Sequence, residues 1–189
     1  MSRSRELTID ELLKLKAAVL YIVDKCKEID YFHIFKILYF ADGQHYAKYG
    51  RRIVKDTFCA LGNGPVPSNL YNAIKTVVGK GSYPELSIIS DALKPADDVY
   101  YYMITGTEKP DMDELSKSDI ECLEKSIVEN KDIPFGDLSK KSHDAAWTEA
   151  WNIKDATPMD DLSIAKAAGA DSAMIEYIKE NELVDSLIE

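Results

Sequence analysis

Two aspartate–histidine pairs have residue types and spacing that suit catalysis or metal binding. Asp42 and His45 stand three positions apart in ILYFADGQHYAKYG, and His143 and Asp144 are neighbours in SHDAAW. Residues three apart on a helix are neighbours on its surface, so Asp42 and His45 could hydrogen-bond if the segment is helical. A carboxylate can orient an imidazole for base catalysis or metal binding. If folding joins the pairs, the sequence allows a metal-dependent hydrolase that uses Asp42, His45 and His143.

A structural role for the DGQH segment is the stronger hypothesis. A hydrogen bond between Asp and His is a common way to satisfy half-buried polar groups. Gly43 costs a helix about 1 kcal/mol relative to Ala and is tolerated where another backbone passes close by. The sequence contains no H-E-x-x-H, G-x-S-x-G or phosphate-loop motif. We therefore predict no catalytic residue, metal site or cofactor. We interpret the segment as a joint that also shapes a partner-binding face, so Asp42→Ala is expected to lower stability or partner binding.

Length and composition favour one domain, residues 1–189, with a core of about residues 8–182. The chain has 189 residues, of which 46% are hydrophobic, and this is enough for one hydrophobic core. No apolar run approaches the roughly 20 residues needed to span a bilayer. The charged N-terminus lacks the features of a secretory signal. These features predict a cytoplasmic protein with no membrane contact.

The net charge argues against general nucleic-acid binding. The formal net charge is -10 and the pI is about 4.8, so a phosphate backbone repels the chain as a whole. One short segment contains Lys48, Arg51, Arg52 and Lys55. These four residues form either a solvated loop, which is favoured, or an electropositive contact for an acidic partner.

The three cysteines, Cys26, Cys59 and Cys122, are far apart and include no C-x-x-C pair. This spacing supports neither a disulfide framework nor a zinc site. We expect small core residues in a reducing compartment.

Helical patterns dominate the elements that must position these side chains. Thr8 and Glu11 form a capping box before an amphipathic run at residues 9–27. Asp30 can cap residues 31–48, which are apolar nearly all round and therefore predict a central buried helix carrying the DGQH segment. Further helices are predicted from Ser116, at about 135–151 with a break near Ser142, at 159–168, and at 172–181 with Ser172 as cap.

The middle of the chain carries the β-prone segments. Short strands are predicted at residues 53–54 and 57–61, before an Asn63-Gly64 turn, and Ser68 is expected to cap the next helix. The runs ELSIIS and DVYYYMITG predict a small antiparallel hairpin or three-stranded sheet. The fold class is therefore mostly α (α+β): a single helical domain with a central buried helix and a small antiparallel sheet or hairpin.

Several motifs in the right order resemble the Panacea domain, the SocA-like antitoxin domain also described as phage-associated. The family pattern is Tyr-x-Ala-Asp-x-x-His, then Tyr-Gly-Arg, an aromatic residue in a strand, and a Gly-Pro-Val turn leading into Leu-Tyr. In this chain the matching residues are Tyr39, Ala41, Asp42, His45, Tyr49, Gly50, Arg51, Phe58, Gly64, Pro65, Val66, Leu70 and Tyr71. The similarity covers roughly residues 10–180. Arg52 is a minor departure, because members often carry Pro there.

The resemblance implies an antitoxin of a type II-like toxin–antitoxin system, and not an enzyme. Its expected partner is a cognate protein toxin encoded by a neighbouring gene, neutralised by direct contact. The alternatives are an adaptor that delivers a partner to a protease or regulator, and the less favoured hydrolase. The predicted partner-binding residues are Tyr39, Asp42, His45, Tyr46, Arg51, Pro65, Val66, Tyr71, His143 and Trp147.

Overall fold

A computed structural model describes residues 6–96 and 102–188, with side chains described as far as residue 184. Within these ranges the helices are α1 (Ile9–Cys26), α2 (Tyr31–Tyr49), α3 (Ser68–Val77), α4 (Ser87–Ser90), α5 (Lys117–Asn130), α6 (Phe135–Ser142), α7 (Ala145–Ile153), α8 (Asp161–Ala167) and α9 (Ser172–Ile188). The strands are β1 (Ile29–Asp30), β2 (Phe58–Leu61), β3 (Gly64–Pro67), β4 (Leu93–Pro95), β5 (Met103–Gly106) and β6 (Thr157–Pro158). Two short 3-10 turns cover Pro84–Leu86 and Met112–Glu114.

The predicted fold class, mostly α with a small β part, is confirmed. The described strands form two antiparallel sheets of three strands each, in the orders β1-β5-β4 and β3-β2-β6. In the second sheet, β2 and β3 form a hairpin in which Phe58 lies opposite Pro67 and Leu61 opposite Gly64. This hairpin packs against α2, α6 and α7, so it brings the central helix and the later helices to one place.

Helix α2 is the central buried helix that the sequence predicts. It packs against α1, α5, α6, α8 and β3, and Ile34, Ile37 and Leu38 have no exposed area. Asp30 caps its start, because Oδ1 of Asp30 accepts a hydrogen bond from the amide of His33 at 3.0 Å. An element buried on so many sides needs apolar residues on every face, which explains the nearly unbroken apolar run.

Two further predicted helix caps, at α1 and α5, are confirmed in addition to Asp30. Thr8 and Glu11 form both bonds of the capping box that begins α1. Ser116 forms the equivalent box with Asp119 at the start of α5. The break predicted near Ser142 separates α6 from α7.

Two other predicted caps are wrong. Ser68 is the first residue of α3, not its cap, and the amides of Asn69 and Leu70 are instead satisfied by the carboxylate of Asp56. At α9 the amide of Met174 donates to Asp171 at 2.8 Å, so the capping side chain precedes Ser172. In both places an aspartate takes the role predicted for a serine.

The predicted strand in ELSIIS is also wrong. Residues 84–90 form a 3-10 turn followed by the single helical turn α4, which packs against α1 and α3. The hairpin strand lies later, at β4, and pairs with β5. Residues 98–101 of the predicted DVYYYMITG strand lie outside the described residues, whereas Met103–Gly106 is a strand as predicted. The strand predicted at Ile53–Val54 is an irregular loop segment.

No helix of the described part is both long enough and apolar enough to cross a membrane. All three cysteines are free and lie in α1, β2 and α5; Cys122 is buried, whereas Cys26 and Cys59 are half-buried.

Candidate functional site

Asp42 is a buried joint between α2 and the loop that follows it. Its carboxylate has no exposed area; Oδ2 accepts from Nε of Arg52 at 2.6 Å, and Oδ1 accepts from the amides of Ile53 and Val54 at 2.7 and 3.0 Å. The expected hydrogen bond between Asp42 and His45 is therefore not made. Asp42 instead fixes the path of the backbone after α2.

Arg52 is the second half of this joint. Its Nη1 donates to Asp161 at 2.6 Å and its Nη2 to the carbonyl of Asp56 at 3.1 Å, while its guanidinium lies 5.2 Å from the ring centroid of Phe58. Burial disfavours the charge of Arg52, but Asp42 and Asp161 outweigh burial and raise the pKa above its ordinary value. Arg52 therefore ties α2, the following loop and α8 together.

The segment that contains Lys48, Arg51, Arg52 and Lys55 is not the solvated loop that the sequence favours. Arg52 is 7% exposed, Lys48 pairs with Glu121 at 3.0 Å, and Nη1 of Arg51 lies 3.3 Å from Asp119. Three of its four cations thus have carboxylate partners within the protein, which reduces the positive potential available to an outside partner.

Gly43 has the packing role proposed for it. A Cβ atom at this position would lie 3.3 Å from Cβ of Ala168 and 3.5 Å from Cγ2 of Ile164. The absence of a side chain therefore lets α8 approach α2 closely, beside the salt bridge between Arg52 and Asp161.

His45 is buried and also bonded inside the protein. Its Nδ1 lies 2.8 Å from the carbonyl oxygen of Arg51 and its Nε2 lies 3.0 Å from Oγ of Ser118, with Asp119 Oδ1 at 3.1 Å. Burial lowers the pKa of His45 against a smaller opposing effect of Asp119. A neutral ring that donates from Nδ1 to the carbonyl of Arg51 and accepts the hydroxyl of Ser118 at Nε2 fits those two partners, whereas only a protonated ring would also donate to Asp119. His45 thus links α2 to the start of α5.

Asp56 is a buried site residue that sequence reasoning missed. Its carboxylate accepts hydrogen bonds from the amides of Thr57, Asn69 and Leu70 and from the side-chain amide of Asn69. Burial raises the pKa of this carboxyl group despite those donors. The only sequence signal was an acidic residue placed directly before a predicted strand, which gives no hint of a helix twelve residues later.

The second aspartate–histidine pair has other partners. Asp144 caps α7 by accepting from the amide of Trp147, and its Oδ2 accepts from the hydroxyl of Tyr39 at 2.7 Å. His143 stacks on Trp147 with ring centroids 3.7 Å apart, and Trp147 stacks on Trp151 at 5.2 Å. Nε1 of Trp147 donates to the carbonyl of Leu61. This aromatic ladder braces the β2–β3 turn.

The predicted partner-binding residues lie in two regions of the structure. At the C-terminal end of α2 and just beyond lie Asp42, His45, Tyr46 and Arg51. Around the β2–β3 hairpin lie Pro65, Val66, Tyr71, His143 and Trp147, and Tyr39 is joined to them through Asp144. Arg51 is exposed, Tyr71 and His143 are half-buried, and the remaining members are buried.

A pocket of about 580 Å³ is lined in part by residues 61–63 of the hairpin turn. It lies at the N-terminal end of α2, and its lining includes Val66 and Tyr71 from the predicted set together with Lys36. Sequence reasoning missed Lys36, because a lysine within an apolar helix could equally have pointed to solvent. Across the described residues, no group of three or more His, Cys, Asp or Glu side chains is placed to hold a metal ion.

Comparison with known proteins gives one family match. The family "Antitoxin SocA-like, Panacea domain" matches residues 34–148, which is more than half of the chain and runs from α2 into α7. No curated protein and no solved structure matches the chain. The match confirms the resemblance seen in the sequence over a shorter stretch than residues 10–180, and it includes the Asp42–Arg52 joint, the hairpin and the lysine of the pocket. The chain belongs to the SocA-like antitoxin family of Panacea domains.

Proposed function

We propose that this protein is an antitoxin that neutralises a cognate protein toxin, encoded by a neighbouring gene, through direct binding. The observation that carries this proposal is the family match over residues 34–148. The proposed mode of action is non-enzymatic. The protein acts in the cytoplasm as one domain, without a cofactor or metal and without contacting nucleic acid.

The internal bonding of Asp42 and His45 supports a binding role over a catalytic one. Both oxygens of Asp42 and both ring nitrogens of His45 lie within hydrogen-bonding distance of groups inside the protein. A general base must reach a substrate proton, and neither side chain is exposed. In the proposed function these residues hold the shape of a surface that a toxin recognises.

The proposed partner-binding residues have different roles according to the solvent exposure of their side chains. Arg51, Tyr71 and His143 have accessible area and contact the toxin directly in this proposal. Pro65, Val66 and Trp147 lie just beneath and set the shape of the hairpin surface, whereas Tyr39, Asp42, His45 and Tyr46 act from the interior. Tyr and Arg are frequent among the residues that dominate binding energy at protein interfaces.

Co-expression with each neighbouring gene tests the proposal. A neighbour that stops growth alone, permits growth together with this chain, and co-purifies on a tag carried by this chain would support it. An inactive toxin variant should co-purify equally well, because binding does not require toxin activity. If no neighbour is toxic and nothing co-purifies, the proposal fails.

Titration of the toxin with the antitoxin distinguishes inhibition by stoichiometric binding from inhibition by an enzymatic reaction. With purified proteins, toxin inhibition should be complete at a fixed molar ratio, since each antitoxin occupies one toxin. A Kd near 1 nM corresponds to about -12 kcal/mol, within reach of one interface of roughly 1,600 Å². Inhibition at far below equimolar antitoxin would instead indicate an enzyme. Rescue that disappears in a host lacking the relevant protease would indicate an adaptor.

A further inference from the structure

The pocket beside the β2–β3 turn has walls that suit a protein ligand. Its volume of about 580 Å³ falls within the range of ligand sites, about 300–1,000 Å³. Phe32 and Phe135 contribute two rings in contact, with centroids 4.1 Å apart and planes tilted by 36°. Phe135 is 52% exposed and Tyr102, on the pocket rim, is 39% exposed. Exposed aromatic side chains around a concave apolar surface are typical of sites that bind another chain.

Lys36 places an ionisable amino group at this apolar pocket. Its side chain has no exposed area, and its Nζ donates to the carbonyl oxygen of Pro65 at 2.6 Å and lies 4.8 Å from the ring centroid of Phe32. Within the described part of the chain, Lys36 forms no ion pair with a carboxylate. Burial accordingly lowers the pKa of Lys36 to about 7.

Among the described residues that line the pocket, Asp30 is the one carboxylate, and it is already bonded to another group. Asp30 lies at the pocket, but its Oδ2 is 2.5 Å from Nδ1 of His33 and its Oδ1 accepts from the amide of His33. A buried ammonium group without a counter-charge is costly, and a carboxylate brought by a ligand would remove much of that cost. Charge complementarity therefore specifies an acidic occupant.

We propose that this pocket binds an internal segment of a protein partner that places an acidic side chain against Lys36 and apolar side chains against the aromatic walls. The identification of that partner as a toxin rests on the proposed function. The flexible four-carbon stem of Lys36 lets its ammonium group turn from Pro65 towards the incoming carboxylate. A charge-assisted hydrogen bond then forms in surroundings that exclude water.

Selection of peptides tests the pocket independently of any toxin. The full-length protein is panned against random twelve-residue peptides displayed on phage with their C-termini fused to the coat protein, so that free terminal carboxylates are absent. We expect the enriched sequences to share Asp or Glu flanked by aromatic or aliphatic residues. Enrichment of sequences without an acidic residue, or of none, overturns the proposal.

Affinity measurements with the selected peptides locate the contact. Lys36→Met keeps an unbranched side chain of similar length without the charge, and it should weaken binding of an amidated synthetic peptide by about 10- to 100-fold. Lys25→Met is the matched control, because it removes one positive charge from the exposed face of α1, where Lys25 pairs with Glu124. Binding to it should stay within about twofold of wild type.

Two further results would count against the pocket. If Lys36→Met binds the peptide as tightly as Lys25→Met while both unfold cooperatively, Lys36 does not contact the ligand. If binding requires a free C-terminal carboxylate and is lost on amidation, the ligand is a chain terminus and the internal-segment proposal is wrong. If the protein binds the selected peptides but neutralises no toxin encoded by a neighbouring gene, only the proposed antitoxin function is contradicted, and the pocket proposal stands.

Discussion

At the scale of single residues, this protein places several charged groups where no solvent reaches them. Asp42, Asp56 and Lys36 have no exposed area. Asp42 is paired with Arg52, and Asp56 is surrounded by amide donors, but the partners of Lys36 among the described residues are a carbonyl oxygen and an aromatic ring, neither of which carries a charge. The first two are the arrangement expected of stable buried charges. Lys36 is different, and this difference separates structural residues from the proposed ligand-binding residue.

Asp42→Asn should lower the free energy of unfolding by about 3–5 kcal/mol, because it leaves the buried Arg52 without its closest counter-charge. Asp161→Asn removes the other carboxylate from the same guanidinium. Its side chain is 47% exposed, so that loss should be about 1 kcal/mol or less. Urea unfolding followed by circular dichroism measures both. Equal losses for the two variants would show that Asp42 is not the dominant partner of Arg52.

Lys36 should make stability depend on alkaline pH. Its folded pKa of about 7 lies below the unfolded value, which is about 10.4, so between these values the unfolded chain binds one more proton. The free energy of unfolding is therefore highest above about pH 10.4, where the amine is neutral in both states. It decreases as the pH falls towards 7, because the unfolded chain then binds a proton that the folded protein does not. Relative to Lys36→Met, wild type should gain about 1.4 kcal/mol per pH unit across this window.

Denaturant midpoints at pH 7, 8, 9 and 10 measure this difference. Lys25→Met provides the comparison, since the Glu124 carboxylate raises the pKa of Lys25 above its ordinary value, outside the window. Its stability should run parallel to that of wild type. If the Lys36→Met curve is also parallel to wild type from pH 7 to 10, Lys36 is charged throughout and the buried-amine description is incorrect.

At the scale of elements, local patterns predicted the helices better than the strands. The α2 prediction of residues 31–48 ends within one residue of the observed helix, because a run apolar on all faces has few alternatives to a buried helix. The strand prediction for ELSIIS was wrong because β-branched residues are typical of buried positions in general as well as of strands. Ile89 and Ser90 are indeed buried, but on the single helical turn α4.

The partners of the site residues could not be predicted from local spacing. Helical spacing placed His45 next to Asp42, whereas Arg52 and the amides of the following loop outcompete it as partners. That choice depends on a reversal of the chain after Gly50, which ends α2 at φ 68°. The link from Arg52 to Asp161 spans 109 residues, and no local pattern encodes so distant a contact.

The β2–β3 hairpin depends on Gly64 for two independent reasons. Gly64 has φ +100°, and a Cβ there would lie 2.2 Å from Oγ of Ser142 and 3.0 Å from Nζ of Lys36. Gly64→Ala should therefore cost about 2–4 kcal/mol, from backbone strain and from the displaced α6. Gly79→Ala is the matched control, because Gly79 has φ +71° but open space around it, and it should cost about 1 kcal/mol.

Thermal and urea unfolding of the two glycine variants measure this contrast. Only Gly64→Ala should also weaken binding of the selected peptides, because the added Cβ would press on Nζ of Lys36. Equal destabilisation of the two variants would mean that α6 moves away without cost and that the hairpin is not held against it.

At the scale of the whole molecule, the hydrophobic core is uneven. One large cluster of buried residues surrounds α1 and α2, and a small separate cluster joins Tyr46 to Ala165, Ile175 and Ile178. Apart from Tyr46 of α2, the members of this cluster lie on α8 and α9, beyond the family match at residues 34–148. The contacts that secure α9 therefore join one residue inside the matched region to residues outside it.

Hydrogen exchange should reveal this unevenness as a gradient of protection. Amides of α2 are enclosed by α1, α5, α6 and α8, so they should exchange only through global unfolding, at about 5–15 kcal/mol. Residues 172–182 of α9 are held by Ile175, Ile178 and the bond from Tyr46 to Glu182, and they should open at a lower free energy. Beyond them Leu183 and Val184 are 62% and 52% exposed, and residues 183–188 should show the weakest protection.

Exchange measured by mass spectrometry at several urea concentrations distinguishes local from global opening. Exchange of α2 should accelerate strongly with urea, because global unfolding exposes much surface, whereas exchange of α9 should respond weakly until the two become equal. If α9 shows the same free energy and the same urea dependence as α2, the small cluster is an integral part of the main core. A lower value for α9 means that it can undock while the α2 joint and the pocket stay folded, so that Tyr46 loses its cover but the surface around the β2–β3 hairpin remains intact.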